Sequence, residues 1–61
     1  MSNLTSKELT AIEDQLGMEE NLIRKYKVYA QSSQDPQIKT KCEELAQKHQ
    51  CHFNTLMGHL S

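Results

Sequence analysis

Apolar residues recur every three or four positions along almost the whole chain, and the rhythm breaks once, at Ser32-Ser33-Gln34-Asp35-Pro36. That spacing stacks side chains on one side of a 3.6-residue helix, whereas a strand alternates every second position. The first stripe runs Leu9, Ile12, Leu16, Glu19, Ile23, Tyr26 and Ala30, with Leu22 and Tyr29 widening one side. The second runs Ile38, Cys42, Leu45, His49, His52 and Leu56, with Ala46, Phe53 and Leu60 on its other edge. The pattern therefore predicts an all-α fold: a two-helix antiparallel hairpin, with helices over about 6–31 and 36–58.

Local signals agree with these bounds. Thr5-Ser6-Lys7-Glu8 has the form of a capping box, in which Thr5 accepts from the amide of Glu8 and Glu8 reaches back to the amide of Thr5. Asp35 is a good N-cap, and Pro36 suits a first helical position, where its missing N–H is no loss. Gly17 costs roughly 1 kcal/mol relative to Ala but leaves the period unbroken. Gly58 is the expected C-terminal stop. The methionines at 18 and 57 read as gap fillers.

At 61 residues the chain is expected to be one helical-hairpin domain over 1–61, with no room for a second. So short a chain buries too little surface to be comfortably stable alone. A lone hairpin also leaves much of two wide stripes wet. A homodimer closing a four-helix bundle removes that problem, as would packing on a different partner. The width of the stripes favours a bundle over a two-per-heptad coiled coil.

Charge excludes some partners. The net charge of −1 gives no electrostatic case for nucleic acid or an acidic membrane surface. Arg24, Lys25 and Lys27 lie on an otherwise acidic helix and read as a solvated face rather than a phosphate site. No apolar run approaches the roughly 20 residues that span a bilayer, and the first residues lack a secretory pattern. A cytoplasmic location is expected. Cys42 and Cys51 would sit ~13 Å apart on opposite faces of one helix, too far for a disulfide. Cys42 reads as a small core residue and Cys51 as an exposed free thiol.

Glu19 and His49 are the chemically informative residues. Each occupies the middle of an apolar stripe, where burial is costly unless the group pairs or binds something. A turn centred near Ser33 puts Glu19 level with Gln47, with His49 about 3 Å further along the axis. His52 lies one turn away on the edge of the same stripe. Three readings compete. The first is a metal site for Zn, Fe or Mn, with Glu19, His49 and His52 as ligands. The second is a buried Glu–His pair that fixes helix register without metal. In the third, the helices rotate until both groups reach water. No Gly-rich phosphate loop or nucleophile elbow is present, and adjacent Cys51 and His52 point ~100° apart, so no enzyme activity is expected.

Glu19-Glu20-Asn21, Tyr26, Tyr29-Ala30, Asp35-Pro36, Cys42-Glu43-Glu44 and the run His49-Gln50-Cys51-His52-Phe53-Asn54-Thr55-Leu56 together carry a resemblance. The chain resembles small proteins of spore-forming Firmicutes related to the spore coat protein F family, which belong to the ferritin-like superfamily. The likeness spans nearly the whole chain, which corresponds to about half of a ferritin-like bundle. Ferritin-like di-iron proteins would imply a Glu from one helix and Glu-x-x-His from the next. Glu19 or Glu20 matches the first element and His49 the last, but Ala46 stands where the second carboxylate belongs. Similarity to coat proteins implies instead a structural or assembly role, with spore coat proteins as partners and the spore coat as a location. The expectation is a non-enzymatic, self-associating helical protein connected with the spore coat. Its alternative is a metal-binding ferritin-like protein with its site at the dimer core.

Overall fold

The computed structural model describes residues 4–60, which form two helices and one corner. Helix α1 spans Ser6–Ser32 and helix α2 spans Pro36–Gly58. They lie against each other in an elongated pair, with Cα extents of 46 × 15 × 11 Å. Among the described residues there is no strand.

The ends form for the reasons the sequence supplies. Glu8 N–H donates to Thr5 Oγ1 at 3.1 Å, and Thr5 N–H donates to Glu8 Oε1 at 3.0 Å. Two amides that the first turn leaves without helical partners are thereby satisfied. Helix α1 runs one residue past the expected end, and Ser33 N–H closes it by donating to the Tyr29 carbonyl. At the corner, Asp35 Oδ1 accepts from Gln37 N–H at 2.9 Å, with Pro36 in the first turn of α2. Helix α2 ends at Gly58 as expected, but not through a left-handed glycine: no described glycine has positive φ, and His59 caps in a right-handed conformation. Gly17 lies inside α1 with open space where a side chain would begin, so the helix passes through it undisturbed.

The core is thin. Ile23, Ala30, Cys42 and Ala46 are its buried apolar members, and no large described side chain is fully enclosed. Ile12, Leu16, Leu22, Tyr26, Leu45, Phe53 and Leu56 are only half-buried. Leu9, Met18, Tyr29, Ile38 and Met57 are exposed. Met18 and Met57 thus fill no gap, because two helices alone leave their flanks without a facing surface. The chain exposes 4765 Å², against about 4,000 Å² for a compact folded monomer of this mass. Cys42 is buried and Cys51 exposed, and both are free thiols. Neither helix is long and apolar enough to cross a membrane.

Candidate functional site

The one buried charged residue among those described is Glu19, 5% exposed, at the midpoint of α1. Its place in the apolar stripe turns it toward α2, as the three-and-four spacing requires. His49 meets it from the facing helix. The His49 Nδ1 to Glu19 Oε1 distance is 2.7 Å, within the range of a charge-assisted hydrogen bond. An ionised carboxylate can only accept, so His49 Nδ1 carries the proton in this pair.

The second oxygen is also occupied. Gln15, one turn earlier on α1, donates from Nε2 to Glu19 Oε2 at 2.9 Å. His52, one turn beyond His49, brings its Nδ1 to 3.7 Å from Glu19 Oε1. No buried polar side-chain atom among the described residues lacks a partner. That satisfaction removes most of the penalty for burying a carboxylate. The His49 hydrogen bond is the largest influence on Glu19 and holds its carboxyl below the usual range. Burial opposes this, while Gln15 and the two imidazoles assist it.

Aromatic rings fix the imidazoles. Tyr26 stacks nearly parallel to His49, with ring centroids 5.9 Å apart and planes 9° apart. His52 meets His49 edge-on at 5.4 Å, and Tyr29 meets Tyr26 edge-on at 6.4 Å. A layer of four rings thus extends from the carboxylate toward one flank of the hairpin.

All three residues expected from the sequence are brought together. Glu19, His49 and His52 can each present one ligand atom with all three atoms within 4.8 Å of one another. One carboxylate and two imidazoles with an open side form a donor set suited to Zn, Fe or Mn. The 2.7 Å between Oε1 and Nδ1 is a hydrogen-bond distance. Donors sharing one ion at ~2.0–2.1 Å each stand further apart in tetrahedral geometry. An ion seated between these two atoms therefore has to displace the shared proton and part the pair. Ala46 is buried in the seam and offers no donor.

Two neighbours of the site were not singled out as its members by the sequence. Gln15 sits four residues before Glu19, a spacing at which a glutamine meets a carboxylate, and this was the available signal. Tyr26 reads as a stripe residue, but its stacking on His49 depends on helix rotation, which spacing alone does not give. Comparisons with family models, curated proteins and solved structures find no match.

Proposed function

We propose that this chain is a non-enzymatic helical hairpin that self-associates into a four-helix bundle and serves a structural or assembly role. The observation that carries the reading is the combination of a thin core with apolar side chains left along both flanks. Two helices of this length can satisfy their backbones alone, but not cover their stripes. A second hairpin covers one of these flanks. The buried Glu19–His49 pair sets the register of α1 on α2, the best attested use of a buried polar pair. The resemblance to spore coat protein F relatives supports an assembly role in the spore coat, with other coat proteins as partners. That setting rests on the resemblance alone.

Folding coupled to association makes stability depend on protein concentration. Thermal unfolding followed by circular dichroism should show a midpoint that rises with concentration across the micromolar range. A midpoint independent of concentration, at full helicity, would overturn the reading.

One observation favours a second reading, in which the bundle binds a metal ion. It is the convergence of Glu19, His49 and His52 within 4.8 Å. Glu19 and the two imidazoles would hold Zn, Fe or Mn, which would supply a cross-link between the helices. Protein purified without an affinity tag should then carry stoichiometric metal and lose it on Glu19→Gln. Metal-free protein that gains no stability from added Zn, Fe or Mn would leave the register pair as the role of these residues.

A further inference from the structure

The seam between the helices divides the surface of the hairpin into two broad faces. One is a groove lined by Glu20, Ile23, Arg24, Lys27, Gln50 and Phe53. Glu43 and Gln47 line its continuation beside Lys27. Charged and amide groups thus occupy the middle of that face. On the opposite face, Tyr26 of α1 stacks on His49 of α2, which shows that the two flanks carrying these rings point the same way. Three- and four-residue steps from Tyr26 reach Leu22 and Tyr29, with Met18 a further turn back. Lys25 borders this row beside Leu22, with its Nζ 6.0 Å from the Tyr29 ring centroid. The corresponding steps from His49 reach Leu45, His52 and Leu56, with Ile38 toward the corner.

We propose that a second copy of this chain docks on the face formed by Met18, Leu22, Tyr29, Ile38, Leu45 and Leu56, enclosing the Glu19–His49–His52 cluster at the interface. The inference rests on the self-association reading and assigns the surface that performs it. Three observations favour a second copy as the occupant. The apolar positions run from Ile38 to Leu56 on α2 and from Met18 to Tyr29 on α1, a length that a second hairpin of the same size covers. The Cα extents of 46 × 15 Å give a face on the order of 700 Å² before side chains, near the ~800 Å² per partner of a stable interface. The polar cluster centres on Glu19, the midpoint of α1, with Leu22, Tyr29, Leu45 and Ile38 toward the corner and Leu56 toward the open end. A twofold axis through that layer sets the two clusters against each other and brings Tyr29 and Ile38 of one hairpin toward the Leu56 end of its partner, the reciprocal pairing of an isologous interface.

The test uses residues already exposed in the hairpin, so that substitution leaves the α1–α2 packing intact. Tyr29 and Ile38, 48% and 52% exposed, lie on the proposed face. Leu9 and Met57, 39% and 45% exposed, flank the other face. Sedimentation velocity should show Tyr29→Glu and Ile38→Glu raising the dimer dissociation constant at least about ten-fold, the effect of burying unpaired charge. Leu9→Glu and Met57→Glu should change it less than about two-fold, as for surface substitutions. The reverse order would overturn the assigned face and leave self-association standing. A monomeric parent protein would overturn both. A second measurement needs no variant: in a mixture of isotope-labelled and unlabelled protein, intermolecular NOEs should involve Tyr29, Leu45 and Leu56. Intermolecular NOEs from Phe53 and Ile23 in their place would overturn the proposal.

Discussion

Glu19 and His49, thirty residues apart, join α1 to α2 through a 2.7 Å hydrogen bond at mid-height of the hairpin. The bond lowers the carboxyl pKa in the folded state, so the unfolded chain binds more protons in the acid range. Its contribution to stability is therefore fully present above the unfolded glutamate value near 4.3 and is lost as pH falls through the lower folded value. Chemical denaturation of the parent between about pH 6 and 3 should show stability falling with acid. Glu19→Gln should flatten that slope, leaving the component from Glu8, whose capping hydrogen bonds to Thr5 also lower its carboxyl pKa. An unchanged slope in Glu19→Gln would remove this pair from the acid response.

A metal ion at the cluster would compete with protons for the same atoms. If an ion occupies the cluster, its affinity should fall with acid and its uptake should release protons. His52→Ala removes a donor 3.7 Å from Glu19 Oε1 while sparing the His49 bond. It should weaken zinc binding by ten-fold or more, on the order of 1.4 kcal/mol. Isothermal titration in two buffers of different ionisation enthalpy measures both the affinity and the protons released. Equal affinities for parent and His52→Ala would place any bound zinc elsewhere.

Helix α1 carries a correctable weakness. A Cβ on Gly17 would meet nothing within 4 Å, and its backbone is helical. Gly17→Ala should therefore raise stability by about 1 kcal/mol. Asp35→Ala should lower it by about 1 kcal/mol through loss of the cap on Gln37 N–H. Denaturant midpoints at constant protein concentration check both. A destabilised Gly17→Ala would mean that this flank of α1 is covered by a neighbouring chain.

The two thiols report on the packing of α2. Cys51 should react promptly with an aromatic disulfide reagent in native protein, and Cys42 only on unfolding. One equivalent reacting natively and two in denaturant is the expected result. Prompt reaction of Cys42 would contradict its place in the seam.

Much of this architecture is legible from sequence because its causes are local. Thr5-Ser6-Lys7-Glu8 and Asp35-Pro36 carry their own hydrogen-bond logic, and the observed helix starts follow them. A single corner near Ser33 puts Glu19 near His49 because one turn and a fixed rise per residue leave little freedom. Other features depend on the relative rotation of the helices, which spacing leaves open. Tyr26 stacking on His49 is one, and the exposure of Met18 and Met57 is another. Gly58 marks the end of α2, yet the chain turns there without left-handed geometry, which residue identity alone does not reveal.

Sedimentation equilibrium of untagged protein across low to high micromolar concentration tests the self-association of the hairpin most directly. The predicted result is a species of twice the chain mass that stays helical and dissociates only on dilution, with loss of structure. A well-folded species of single-chain mass throughout that range would contradict it.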